Sequence, residues 1–181
     1  LVHAAMTMNI GMTAMQDQLA LQTDKLTAFQ LDAIRAHSAR GGLMLSNLGV
    51  SDELWVETVS SHHDENTDKI ALRALPPRKR LVRILQVVDR YAAMISPRKA
   101  REGRSATESV RSVMSGRSSY NDEVGHALIR AVGLCPPGTY VRLEDSTLAV
   151  VMRRSAKPNL PHVAIVTSPA GELLPQPRLH R

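Results

Sequence analysis

The sequence predicts a mainly α-helical protein with a small antiparallel β appendage at its C-terminal end. Three observations support this fold class. Only one phenylalanine and one tryptophan occur among 181 residues, so the core must be made of aliphatic residues and eight methionines, which suit helices better than a β-sandwich. Apolar residues recur at three- and four-residue spacing before residue 133. Short β-branched runs separated by turn residues follow it.

Two early helices begin at recognisable N-terminal signals. Thr27 and Gln30 form a capping box, in which each side chain bonds the backbone N–H of the other residue, and this predicts a helix over 27–40. Ser51 precedes two acids of a first turn, Asp52 and Glu53, which predicts a helix over 51–63.

The clearest helix is predicted over 77–95. Its apolar residues share the spacing of one buried face: Leu81, Ile84, Leu85, Val88, Ala92 and Ile95. Pro97 ends this helix, because proline cannot continue one. A second capping box, Ser105 with Glu108, predicts a helix over 105–115, and a further helix is predicted over 121–132.

Glycine and proline interrupt the helical pattern in the segment GLCPPGTY, residues 133–140. Beyond it, TYVRL, LAVVMRR and HVAIV are β-branched runs, and EDS, AKPN and SPAG are typical of turns. We therefore divide the chain into a helical domain over residues 1–132 and a small β-strand extension over residues 133–181.

The chain is basic, with a net charge of +6 and a pI near 10. The positive residues cluster in PPRKRLVR at 76–83 and in SPRKAREGR at 96–104. Neither cluster carries the aromatic side chains of a base-stacking surface. A solvated helix face accounts for the first cluster, and the second could serve a phosphate. Among the functions that the sequence suggests, nucleic-acid binding by a basic domain therefore ranks lowest.

Cysteine content and hydropathy give an expectation for the cellular location of the protein. The single cysteine, Cys135, excludes an internal disulfide, which fits a reducing cytoplasm. No apolar run approaches the roughly 18 residues that a membrane span needs. We expect a cytoplasmic protein. Because the sequence opens on Leu1 in mid-pattern, we also expect an N-terminal helix to lie upstream of it.

Four possible metal ligands fall on neighbouring predicted helices. His37 is near the end of the first, His62 and His63 are at the end of the second, and Asp89 is inside the third. Imidazole and carboxylate together suit iron, manganese or zinc, and helical bundles hold such ions between facing helices. For any single histidine, a capping or surface role is the competing interpretation.

These segments, in this order, resemble the HD-GYP domains, bacterial metal-dependent phosphodiesterases that hydrolyse cyclic di-GMP and belong to the HD phosphohydrolase superfamily. DKLTAFQLDAIRAHSARGG is similar to the family segment that leads to a metal-binding histidine. SSHHDEN is similar to its His-His-Glu element, and RILQVVDRYAAMISPRKAR to its Val-Ala-Asp run and the Arg-Pro-Tyr-Arg that follows. The resemblance implies an HD-domain-like helical bundle. The segment PPGTYVRLEDSTLAVV also resembles the strand extension often found after it.

The resemblance assigns residues as well as a fold. It implies that His37, His62, His63 and Asp89 are metal ligands. It also matches Arg98 and Arg101 to basic positions of Arg-Pro-Tyr-Arg, where paired guanidinium groups could bind phosphate. The alternative is that both arginines point into solvent or pair with Glu102 and Glu108.

Several family positions are altered. MTMNIGM stands where the family has His-Asp-Ile-Gly-Lys, so Met8 and Asn9 replace the histidine and aspartate, and Met12 replaces the lysine. Asp64 stands in place of the glutamate of His-His-Glu. The segment ENTDKIALRALPPRK contains neither glycine nor tyrosine, so the Gly-Tyr-Pro signature is absent.

These departures bear on catalysis, because hydrolysis of this class needs a water activated by metal, usually by paired cations. An amide at position 9 cannot supply the anionic bridge between two cations. We therefore expect a degenerate domain without catalytic residues that holds at most one divalent transition metal ion, iron, manganese or zinc. Its expected role is regulatory, in binding cyclic di-GMP or a protein partner of bacterial signalling. An active cyclic di-GMP phosphodiesterase is the main alternative.

Overall fold

The computed structural model describes residues 1–64, 70–96, 99, 103–115, 123–157 and 160–180. These residues form seven α-helices: α1 Val2–Thr7, α2 Thr13–Leu21, α3 Ala28–Asn47, α4 Glu53–Ser60, α5 Pro77–Ile95, α6 Ala106–Ser115 and α7 Glu123–Val132. Four strands follow: β1 Tyr140–Arg142, β2 Leu148–Arg153, β3 His162–Thr167 and β4 Leu173–His180. Short 3₁₀ turns occupy Ile10–Met12 and Leu72–Ala74. The mainly helical fold with a small antiparallel sheet is confirmed.

Helix α3 begins at the predicted capping box but extends beyond the predicted end. The Gln30 backbone N–H donates to Thr27 Oγ1 at 3.2 Å, and the Thr27 N–H donates to Gln30 Oε1 at 2.9 Å. The helix continues to Asn47 rather than stopping at residue 40. Gly41 and Gly42 therefore lie inside the helix, where glycine is usually unfavourable.

Close packing explains these glycines. A Cβ added to Gly42 would stand 2.6 Å from Ser60 Cβ on α4, and one on Gly41 would stand 3.1 Å from Val59 Cγ1. A Cβ on Gly11 would overlap the carbonyl oxygen of His37. The missing side chains thus allow α3 to lie directly against α4 and against the N-terminal 3₁₀ turn.

Helix α4 is shorter than predicted. Its N-cap is Asp52 rather than Ser51, because Asp52 Oδ1 accepts the Trp55 backbone N–H at 3.1 Å. The helix ends at Ser60. His62 and His63 consequently lie on the turn that follows α4, where the Asp64 N–H donates to the Ser61 carbonyl at 2.9 Å.

Helix α5 is central and is buried on two sides. Leu85 joins the core formed by α1, α3 and α4, whereas Val87 and Tyr91 join a second core with α6 and α7. The predicted single buried face is therefore wrong in part. Val88 and Ile95 are exposed, because a helix packed on two sides turns a narrow strip toward solvent.

The basic cluster at 76–83 is used largely within the fold. Arg78 forms ion pairs of 2.8 Å with both Glu53 and Glu57 on α4. The Arg80 guanidinium donates to the carbonyls of Leu75 and Arg73, at 2.7 and 2.8 Å. In the same way, the buried Arg83 donates to the carbonyl of Ile70. Arg80 and Arg83 thus hold the segment before α5 against that helix, and Arg78 joins α5 to α4.

The sheet has the order β1-β2-β3-β4 with antiparallel neighbours throughout. Its apolar cluster is formed by Ala149, Val151, Val163 and Ile165. The fourth strand was not predicted, because Pro175 and Pro177 interrupt its β pattern. The two prolines fall where the pairing with β3 shifts register, between Leu173 and Arg178.

The helical and strand segments meet through a few polar contacts. Helix α7 ends before Gly133, which has a φ of 83°. Arg154 donates to the Ala131 carbonyl at 2.6 Å, and Thr107 donates to the Leu134 carbonyl at 3.3 Å. The division into two domains at this point stays a prediction. Among the described helices, none combines the length and apolar character needed to cross a bilayer.

Replacing Gly42 by alanine should destabilise the protein by about 1–3 kcal/mol, because the new methyl group would collide with Ser60. A loss of stability would indicate the steric contact, since glycine-to-alanine changes inside helices otherwise stabilise a protein by roughly 1 kcal/mol. Urea unfolding measures the difference. Asn47→Ala, at the exposed end of the same helix, is the matched control and should change stability little. A Gly42→Ala variant as stable as the wild type would contradict this packing.

Candidate metal centre

Three histidines converge where α3 meets the turn after α4. His37 projects from α3, and His62 and His63 lie on the turn. Their ring centroids are 4.2–5.1 Å apart. One nitrogen from each ring lies within 4.8 Å of the others. His37 and His62 are buried, whereas His63 is exposed, so the group is reachable from one side.

The backbone fixes the tautomers of the two buried rings. His37 Nδ1 donates to the Ile34 carbonyl at 2.5 Å, and His62 Nδ1 donates to the Val59 carbonyl at 2.6 Å. A carbonyl oxygen can only accept, so Nδ1 carries the proton in both rings. In the neutral form of either ring, Nε2 is then unprotonated and can bind a metal ion. Metal-bound histidines commonly donate their other ring N–H to a backbone carbonyl in this way.

The two Nε2 atoms of His37 and His62 are 3.2 Å apart. With Nδ1 protonated, both are acceptors, and two lone pairs at this separation repel unless a proton or a cation lies between them. Two nitrogens bound to one ion at about 2.1 Å stand about 3.0 Å apart at a right angle and about 3.4 Å apart at a tetrahedral angle. The observed separation therefore fits two neighbouring ligands of one metal ion.

The electrostatic surroundings favour the neutral forms of His62 and His63. Burial lowers the pKa of His62 below 6.5, and the His37 ring lowers it further; the hydrogen bond to Val59 and the Asp89 carboxylate oppose this shift. His63 is partly open to solvent, but desolvation of the covered part of its ring still lowers its pKa, with further contributions from His62 and His37, again opposed by Asp89. A metal ion at neutral pH would therefore displace few protons from His62 and His63.

The other predicted site residues are placed differently. Asp89 is half-buried on α5, and its charge acts on His62 and His63, but it does not belong to the close group of three. Its role as a fourth ligand stays a prediction. Arg98 and Arg101 lie outside the described residues. Their role in binding phosphate also stays a prediction.

The N-terminal 3₁₀ turn lies against α3 at His37, through Gly11. Met8 packs against the apolar core of Ala4, Leu45, Val59 and Leu85. The backbone carbonyl of Asn9 accepts the Met12 N–H at 3.0 Å. The turn that would carry the family's His-Asp and Lys thus reaches His37, but it carries thioether and amide side chains. In the described residues, the only grouped metal-binding side chains are the three histidines.

Sequence reasoning missed two residues that shape this centre. Gly11 allows the N-terminal turn to contact the backbone of His37. Gln86 on α5 donates its side-chain amide to the Asp64 carbonyl at 2.6 Å, directly after the two turn histidines. The available signal for Gln86 was its position, one helical turn before Asp89 on the same helix face.

Acidification should destabilise the metal-free protein before its carboxylates titrate. Because the pKa values of His62 and His63 lie below 6.5 when folded, the unfolded chain binds more protons as the pH falls. The stabilisation is complete above pH 6.5 and is lost below it, by up to about 1.4 kcal/mol per pH unit for the buried His62 and by less for the exposed His63, because solvent screens it. Urea unfolding between pH 6.5 and about 5 should show a flatter profile for the His62→Gln, His63→Gln double variant. Equal slopes in the two proteins would refute the assignment.

Comparison with known proteins agrees with the geometry. The family described as HD domain matches residues 1–124, which include all three histidines and Asp89. A cyclic di-GMP phosphodiesterase of Pseudomonas aeruginosa is 30% identical over 178 residues, which are 96% of this chain and 43% of that protein. The chain thus spans less than half the length of this relative. From the family match, together with the ordered motifs and the helical fold, we conclude that this chain belongs to the HD-domain family.

Proposed function

We propose that this chain is a regulatory HD domain of cyclic di-GMP signalling that holds one divalent transition metal ion, iron, manganese or zinc, with His37, His62 and His63 as ligands. The proposal rests above all on the opposed Nε2 atoms of His37 and His62, 3.2 Å apart. Three neutral imidazoles suit each of these metals, and the geometry does not choose among them.

The residues of the centre have distinct roles in this proposal. His37 and His62 bind with their Nε2 atoms while their Nδ1–H groups hold the rings in place. The exposed His63 closes the ligand group on the solvent side. When bound, the ion supplies positive charge that attracts an anionic ligand such as a phosphodiester. The half-buried Asp89 then completes the shell or balances part of the charge.

A regulatory role is favoured over catalysis by the side chains of the N-terminal segment. Met8 and Met12 offer neither an imidazole nor an ammonium group, and Asn9 offers a neutral amide in place of a bridging carboxylate. A second cation therefore lacks its anionic ligand, and the paired-cation route to hydrolysis is impaired. The change to Asp64 and the absent Gly-Tyr-Pro signature point the same way.

An active cyclic di-GMP phosphodiesterase is the second candidate, and the relative from Pseudomonas aeruginosa, named for that activity, favours it. For a nucleic-acid-binding role the structure offers less, because Arg78, Arg80 and Arg83 are engaged within the fold. A protein partner and a cytoplasmic location remain expectations from the sequence.

Metal content and turnover should separate the two leading candidates. Protein loaded separately with manganese, iron or zinc should retain about one ion per chain by elemental analysis, as one group of three histidines allows. His62→Ala should lose that ion, whereas His126→Ala, an exposed histidine on α7, should keep it. Hydrolysis of cyclic di-GMP should stay well below the order of 1 per second that is ordinary for enzymes. Turnover at that rate would establish the phosphodiesterase instead.

Binding of cyclic di-GMP should depend on Arg98 and Arg101. We expect an Arg98→Ala, Arg101→Ala double variant to bind the dinucleotide roughly tenfold more weakly by calorimetry, because two charge-assisted phosphate contacts would be lost. Arg130→Ala with Arg153→Ala, which removes two exposed arginines, one on α7 and one at the end of β2, is the charge-matched control. If the wild type binds and both double variants bind equally well, the phosphate role is wrong.

A further inference from the structure

The positions of two of the three ligands depend on a turn rather than on a helix. Helix α4 ends at Ser60, so His62 and His63 are held by the bonds of the turn, such as Asp64 N–H to the Ser61 carbonyl. His62 is additionally buried, with its ring bonded to the Val59 carbonyl. His63 is exposed. The placement of His63 therefore depends on whatever fixes the end of the turn.

Helix α5 supplies such a contact. Gln86 Nε2 donates to the Asp64 carbonyl at 2.6 Å, and Asp64 directly follows His63. Gln86 precedes Asp89 by one helical turn, so the two side chains share a helix face. The same face therefore ties down the backbone of the turn and presents a carboxylate to its histidines.

Lys79, further back on α5, contacts the same residue in a weaker manner. Its ammonium group lies 3.8 Å from Asp64 Oδ2, and both side chains are largely exposed. Exposed ion pairs of this kind contribute little, because water and salt screen them. The Gln86 bond differs in reaching the main chain, where it restrains the backbone next to His63 rather than a mobile side chain.

We propose that Gln86 is a positioning residue of the metal centre, one that anchors the turn through the Asp64 carbonyl and so holds His63 in reach of the ion. This inference rests on the proposed metal site. Without the anchor, the turn must be ordered when the ion binds, and the affinity falls by that cost. Changes to residues that support metal ligands typically weaken metal binding at least tenfold.

The test compares wild type, Gln86→Met and Lys79→Met. Gln86→Met keeps the length of the side chain and removes the amide donor, whereas Lys79→Met removes the other contact to Asp64. Cobalt(II) serves as the probe, because its visible absorption reports both affinity and coordination. Gln86→Met should bind cobalt roughly tenfold more weakly with a changed absorption spectrum. Lys79→Met should match the wild type in both respects.

A second measurement uses the metal-free proteins. In Gln86→Met, the ring resonances of His63 should broaden or shift in NMR spectra, while those of His126, an exposed histidine on α7 outside this group, should stay unchanged. Thermal unfolding checks that the variant is folded. If Gln86→Met does not fold, Gln86→Asn replaces it, since that side chain keeps the amide but is too short by one methylene to reach the carbonyl.

The outcomes separate the two proposals. If the wild type takes up no cobalt, the metal centre itself is wrong, and unchanged His63 resonances in the metal-free variant would refute the role of Gln86 as well. If wild type and Gln86→Met bind cobalt with equal affinity and identical spectra, only the positioning role is overturned.

Discussion

The centre depends on how closely α3 approaches its neighbours. Gly41 and Gly42 present no side chain toward α4, and Gly11 presents none toward the backbone of α3 at His37. Side chains at these positions would separate the backbones, and the ring of His37 would withdraw from the turn that carries His62. The distance between the two Nε2 atoms is therefore set by backbone packing as much as by the histidines. Protein interiors transmit such displacements, because they are densely packed.

Sequence signals predicted an element correctly where its end depends on neighbouring residues. They failed where the end depends on contacts with residues far away in the sequence. The capping boxes at Thr27 and Ser105 place the starts of α3 and α6, because each involves residues within one helical turn. The predicted end of α3 was wrong because Gly42 packs against Ser60 on another helix and so does not end its own helix. Strand β4 was missed because its two prolines contradict β propensity and are tolerated only where its register shifts.

In the candidate site, too, the sequence predicted some features, whereas others depend on tertiary contacts. The order of the histidines along the chain, with the family resemblance, was sufficient to predict that His37, His62 and His63 lie close together. The hydrogen bonds that orient the rings could not be predicted, because they depend on where α4 ends and on which ring nitrogen faces a carbonyl. The hydrogen bond of Gln86 could not be predicted either, since its acceptor is a main-chain carbonyl, which every residue carries. Net charge was misleading for a related reason, because much of the basic cluster at 76–83 serves the fold.

The interrupted strand β4 has a consequence for how the molecule behaves at high concentration. Its residues are exposed almost throughout, so it forms an open edge of the sheet. Such edges readily pair with strands of other molecules and begin aggregation. Pro175 and Pro177 deprive this edge of two amide donors, and the shifted register bends the strand away from a regular ladder. The two prolines that prevented the prediction of this strand thus also disfavour pairing of the sheet edge with strands of other molecules.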